Sequence, residues 1–224
     1  MSLSTSPLDV SPVIPVVVVD DPGHAVPLAR ALSAGGVAII EVTLRTPRAL
    51  EAVAAIAAEV PEIALGVGSV LTAAQVEQSL AAGADFLVSP GAGPALLGRL
   101  VAAPVPVLPG VATVSEVLTA LDHGLTELKF FPAGPAGGPA YLAAIGGPVP
   151  QVRFCPTGGV TAANLQDYLA VPGVAAVGGT WLTPPSLVEG EDWAGITALA
   201  AAAVTSAVAG GWRGTSAAGS RDRD

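Results

Sequence analysis

At 224 residues and 51% hydrophobic, the chain can bury a sizeable core, as one barrel or as two small domains. Its net charge of −9 argues against a nucleic-acid groove or an anionic membrane surface, but leaves room for a local anion site built from backbone N–H groups. The single cysteine, Cys155, excludes an internal disulfide. Neither a signal peptide nor an apolar stretch long enough to span a bilayer is evident, so a cytoplasmic protein is expected.

Residues 1–11 are rich in Ser and short on apolar periodicity, and they read as a loosely ordered leader. The Val-rich run at 12–19 reads as a buried strand, and Asp20-Asp21-Pro22 caps a helix over 24–34 that stops at Gly35-Gly36. The same unit then repeats. Strands at 37–44, 63–69, 86–89, 105–108, 127–131, 152–156 and 174–177 are followed by helices at 47–59, 72–82, 94–101, 114–123, 139–145, 162–170 and 193–208. The polar stretch 210–224 reads as a disordered tail. Eight strands alternating with eight helices over 12–209 predict a single α/β domain, a (β/α)8 TIM barrel. An open doubly wound sheet is the alternative; it is disfavoured because no G-x-G-x-x-G opens the first helix and the odd polar residues gather at strand ends.

Lys129 is the only lysine in the chain; the other eight basic residues are arginines. A bias toward Arg explains the eight and not the exception. Arginine stays charged in any protein setting, whereas a desolvated lysine can lose its proton and attack a carbonyl carbon. Lys129 lies in the apolar run Glu-Leu-Lys-Phe-Phe-Pro-Ala, where an unpaired charge costs several kcal/mol. Strand parity places Lys129 and Phe131 inward, and it puts Glu41, Thr43 and Arg45 on one face of their strand, opposite the apolar Ile40, Val42 and Leu44. The purely apolar face packs on helices, so Glu41 and Arg45 look into the barrel or over its C-terminal mouth. An interior ion pair is the bland reading. Replacing such pairs by apolar residues is often neutral, so burial alone gives no reason to keep one.

Two glycine pairs, Gly158-Gly159 after Thr157 and Gly178-Gly179 before Thr180, come after the last two predicted strands. Those loops are the usual phosphate corner of a barrel, so with an interior lysine they suggest a phosphorylated carbonyl substrate.

The strings IPVVVV, EVTLRT, GVGSV, SPG, LPGVATVSE, ELKFFPA, VRFCPTGG and VGGTWL, in order over residues 12–193, resemble the KDPG (2-dehydro-3-deoxy-phosphogluconate) and 4-hydroxy-2-oxoglutarate aldolase family. The resemblance implies a homotrimeric Schiff-base aldolase with no cofactor or metal. Such an enzyme splits 2-dehydro-3-deoxy-6-phosphogluconate into pyruvate and glyceraldehyde 3-phosphate, and within the family also 4-hydroxy-2-oxoglutarate into pyruvate and glyoxylate. By position, Lys129 would form the imine and Glu41 would be the general acid/base. Arg45 and Ser69 would hold the pyruvate carboxylate, with Pro90 and Phe131 lining the substrate. Thr157 would bear on aldehyde stereochemistry, and Gly158, Gly159, Gly178, Gly179 and Thr180 would take phosphate. Ser69 and Thr180 depart from the family's Thr and Ser, and each keeps a hydroxyl.

Three alternatives stay open on the residues. One is an aldolase for the galactonate epimer; another is a sugar-phosphate isomerase or epimerase with Glu41 as base and Lys129 as an electrostatic group. The third, a catalytically silent barrel, would tolerate loss of Lys129, Glu41 or Arg45, and all three are present. His24 and His123 are too few for a zinc site and read as helix-end residues. Cys155 lacks an evident His partner and reads as a buried structural thiol, and Trp181, Trp193 and Trp212 read as packing or tail residues.

Overall fold

The structure, a computed structural model, describes residues 6–213. Parallel strands form the wall: β1 (Val13–Val17), β2 (Ile39–Thr43), β3 (Ala64–Gly68), β4 (Phe86–Val88), β5 (Val107–Leu108), β6 (Gly110–Val111), β7 (Glu127–Phe130), β8 (Arg153–Pro156) and β9 (Val177–Gly179). They pair in the order β5-β4-β3-β2-β1-β9 and β6-β7-β8. β5 and β6 are one stave broken at Pro109, which has no N–H to give to a ladder but whose carbonyl accepts from Lys129 N at 3.0 Å. Bridges Phe154↔Val174 and Thr157↔Gly178 join β8 to the β9 side, so the sheet closes on itself. The predicted barrel is therefore the observed one.

Outside it lie α1 (Ala25–Ala34), α2 (Ala49–Glu59), α3 (Ala73–Ala81), α4 (Pro94–Val101), α5 (Val114–Asp122), α6 (Gly138–Gly146), α7 (Leu165–Leu169), α8 (Pro185–Glu189) and α9 (Trp193–Ala209). Their starts are written in the sequence. Thr72 with Gln75 and Thr113 with Glu116 form complete capping boxes, and Pro94 opens α4 where a missing N–H costs nothing. Among the described residues no helix is long and apolar enough to cross a membrane.

The structure departs from the sequence reading at both ends of the chain. The presumed loose leader is docked from Ser6 onward: Leu8 is fully buried, and Pro7–Asp9 form a 3-10 turn across the N-terminal end of the barrel. Polar groups hold it there. Arg153 reaches both Asp9 and Glu127, and the Ser6 hydroxyl donates to Glu127 Oε2 at 2.7 Å. At the other end Trp212 Nε1 donates to Ala175 O at 2.8 Å, so the chain is docked past Gly210; the rest of the expected tail, and residues 1–5, lie outside the described residues. The last strand also sits further along than the apolar run Val-Ala-Ala-Val suggested. β9 contains Gly178 and Gly179 as its closing residues; of the expected segment Val177 opens β9 and pairs with Val13, and Val174 makes an isolated bridge to Phe154. The short α8 had no apolar periodicity from which to be read.

Candidate active site

The inward positions decide what the barrel can hold. Register places Val16, Glu41, Gly66 and Phe86 at one level, and Gly110, Lys129 and Cys155 at another. The glycines are there because neighbours fill their side-chain space. A Cβ on Gly66 would lie 2.2 Å from the Phe86 ring, and one on Gly68 would lie 2.0 Å from Glu41 Oε1. The Gly-Val-Gly of β3 thus hollows the wall where the Glu41 carboxylate lies.

Lys129 and Glu41 are 88 residues apart in sequence; Nζ donates to Oε1 at 3.2 Å, and each residue is only 3% exposed. Desolvating both groups is expensive and their mutual attraction roughly offsets it, so the pair is no argument for stability. It is an argument for chemistry: the only lysine faces a carboxylate in a dry barrel, with Nζ 5.4 Å from the centroid of the Phe131 ring. Thr43, beside them, is fully buried and donates to Val17 O at 2.8 Å.

Above the pair, at the C-terminal mouth, a cavity of about 110 Å³ is lined by Arg45, Phe131, Thr157, Gly158, Gly159, Gly179 and Thr180 together with Val16 and Val160. Arg45 is exposed, and its Nε donates to Ser69 Oγ at 3.2 Å. Ser69 has φ 59°, a left-handed conformation that a non-glycine residue adopts at a cost of about 1–3 kcal/mol. Such strain gathers where a backbone must face a ligand. Gly158 and Gly159 have φ 91° and 83°, so glycine is needed there for conformation as well as for closeness. Thr157 O and Gly158 O accept from Ala133 N and Gly134 N, both at 2.8 Å, which ties this turn to the end of β7.

Of the binding residues named from the sequence, Ser69, Gly178 and Pro90 do not line this cavity. Gly178 is part of the wall: a Cβ there would be 2.2 Å from Thr157 Oγ1, so of the second glycine pair Gly179 is the one lining the cavity. Pro90 follows β4 and packs on Gly110, whose Cβ would lie 2.2 Å from the Pro90 carbonyl; it supports the strand next to Lys129 and does not line the cavity.

Asn164 was missed. Its Nδ2 donates to Gly159 O at 3.0 Å while its Oδ1 accepts from Thr161 N at 2.7 Å, so one side chain pins the Gly158-Gly159 turn. An Asn just ahead of a short helix reads as a cap, but the Asn164 side chain makes no cap bond to α7, and its contact back to the glycine turn depends on the fold.

Cys155 pairs with Lys129 in register and is 3% exposed. Burial pushes its thiol up to about 12; the Lys129 ammonium opposes this and the Glu41 carboxylate adds to it. The thiol therefore stays protonated and unreactive. Iodoacetamide at about pH 8 should leave it unmodified in the folded protein while alkylating the denaturant-unfolded chain fully; rapid labelling of the folded protein would contradict this burial.

The family profile described as "Aldolase: KDPG and KHG aldolase" matches residues 5–199. The KHG/KDPG aldolase of Escherichia coli (strain K12) is 50% identical over 200 residues, which cover 89% of this chain and 94% of that protein. Among solved structures, the KDPG aldolase of Legionella pneumophila, with pyruvate captured at low pH as a covalent carbinolamine intermediate, superposes with a TM-score of 0.86 at 45% identity, covering 88% of this chain and 96% of that one. The 2-keto-3-deoxy-6-phosphogluconate aldolase of Zymomonas mobilis ZM4 with 3-phosphoglycerate gives 0.84 at 43% identity, over 93% and 95% of the two chains.

Proposed function

The chain belongs to the KDPG and KHG aldolase family, and we propose that it cleaves 2-dehydro-3-deoxy-6-phosphogluconate to pyruvate and glyceraldehyde 3-phosphate through an imine on Lys129. The buried 3.2 Å contact between Lys129 Nζ and Glu41 Oε1 carries this reading, because it sets a nucleophile and a proton acceptor at one point.

Nζ attacks the C2 carbonyl and forms a carbinolamine, which loses water to give an iminium. Glu41 takes the C4 hydroxyl proton, the C3–C4 bond breaks, and its electron pair moves into the iminium to give an enamine as the aldehyde departs. Glu41 then returns the proton to C3, and hydrolysis frees pyruvate and the amine. The Arg45 guanidinium and the Ser69 hydroxyl, 3.2 Å apart, suit the substrate carboxylate at the mouth. Thr157 lines the same cavity as Arg45 and the glycine turn, where it would contact the aldehyde end. Backbone N–H groups of Gly158-Gly159 and Gly179-Thr180 would take the phosphate. By the family resemblance, the expected working form is a cytoplasmic homotrimer; sedimentation of the purified chain at about three times its monomer mass checks the assembly.

A phosphate-terminated substrate gains two or three charge-assisted hydrogen bonds that 4-hydroxy-2-oxoglutarate reaches less well, at about 1.5–3 kcal/mol each before competition with water. The expected preference is roughly 10³-fold in kcat/KM. Gly179 is a poor place to test it, since a Cβ there would lie 1.7 Å from the Trp181 ring. Asn164→Ala is cleaner. It should raise KM for the phosphorylated substrate about tenfold and leave proton exchange on pyruvate unchanged, because only the glycine turn is released. Equal kcat/KM on both substrates would place the phosphate in other loops.

A further inference from the structure

The larger chamber at the barrel mouth is not the one lined by Arg45 and Phe131. Next to that cavity, and sharing Val16 and Thr180 with it, is a space of about 570 Å³ between the end of β1 and α8. Val16, Val18, Pro185 and Val188 give it an apolar lining, and Asp20, Asp21 and Glu189 bring three carboxylates to it. Val18 is 39% exposed there, an apolar side chain left open at a strand end.

This chamber is built against anions. Thr183 N–H is spent on Thr180 O at 3.2 Å, and Pro184 and Pro185 have no N–H, so the start of α8 adds few donors. The basic side chains here have partners: Arg48 binds Glu51 Oε2 at 2.8 Å and lies 3.9 Å from Asp21, and the His24 ring, part of the chamber's lining, has Nε2 3.6 Å from Glu191. A substrate reaching past Thr180 therefore leaves the phosphate corner for an apolar space edged with negative charge.

We propose that this chamber receives the tail of extended, uncharged aldehydes, so that the enzyme also adds pyruvate to acceptors whose far end is apolar. The inference rests on the imine at Lys129. The enamine carbon of bound pyruvate attacks the aldehyde carbon and forms the C–C bond, the aldehyde oxygen takes the proton held by Glu41, and water hydrolyses the iminium. A 4-hydroxy-2-oxo acid and free Lys129 result, with no other reactant. Because the two spaces share Val16 and Thr180, an acceptor whose reacting end lies beside the Phe131 ring, its centroid 5.4 Å from Lys129 Nζ, would extend its tail into the chamber.

The test measures pyruvate addition to hexanal and to 6-oxohexanoate, which have chains of equal length and differ in the terminal carboxylate. The wild type is expected to prefer hexanal by about tenfold or more in kcat/KM. Val188→Trp, which fills the chamber, should lower addition to hexanal about tenfold while leaving cleavage of the phosphorylated substrate and borohydride trapping of pyruvate within about twofold. Asp20→Arg, on an exposed residue, should raise kcat/KM for 6-oxohexanoate about two- to fivefold with hexanal unchanged, and decides the matter if Val188→Trp does not fold. A folded Val188→Trp that adds hexanal as well as the wild type, or an Asp20→Arg without effect on 6-oxohexanoate, would overturn the chamber's role with the imine reading intact. Failure of the wild type to trap pyruvate would remove the imine reading itself.

Discussion

Replacing Glu41 by Gln should lower turnover by about 10²-fold or more, with a much smaller change in KM. The amide fits where the carboxylate was, in the space opened by Gly68, and its oxygen can still accept from Lys129 Nζ. What it cannot do is hold the proton that leaves the C4 hydroxyl and returns to the enamine carbon. Exchange of the pyruvate methyl protons with solvent isolates the second of these transfers, because it needs no aldehyde, and it should slow in parallel with turnover. Full-rate exchange in Glu41→Gln would move proton transfer to another group or to water.

The larger effect belongs to Lys129→Arg, where we expect loss on the order of 10⁴-fold or more, toward the uncatalysed floor. Arginine is the informative replacement. An apolar residue would strand the Glu41 carboxylate in a site 3% exposed, and breaking a buried pair costs about 3–5 kcal/mol, so lost activity could then follow from lost folding. A guanidinium keeps the charge beside Glu41 but does not form an imine. Thermal unfolding close to that of the wild type, together with absent cleavage, is the expected combination. A Lys129→Arg enzyme with a substantial share of wild-type turnover would leave the lysine an electrostatic role, as in an isomerase or epimerase.

Much of this was legible because barrel strands obey a period of two. Parity in residues 37–45 put Glu41 and Arg45 on the face opposite Ile40 and Leu44, and parity around Lys129 turned it inward; the 3.2 Å contact across 88 residues follows once the sheet closes. The glycines were harder, since a sequence does not tell a turn glycine from a wall glycine. Gly158 and Gly159 are turn residues by their positive φ, whereas Gly178 and Gly68 are glycine because Thr157 and Glu41 fill the space a side chain would need. The strain at Ser69 left no trace either: serine is ordinary in extended structure, and only the backbone reveals φ 59°. Residues 6–11 misled because a short polar segment has no periodicity, and its docking depends on Arg153, far away in sequence, reaching Asp9.

The central claim is that Lys129 carries the substrate as an imine, and a chain with a single lysine allows it to be tested with little ambiguity. The protein is incubated with pyruvate, reduced with borohydride, digested and mapped by mass spectrometry. The account predicts inactivation in step with incorporation of one reduced pyruvate adduct, located on Lys129. An adduct on the N-terminal amine alone, or full activity after reduction with pyruvate present, would contradict it.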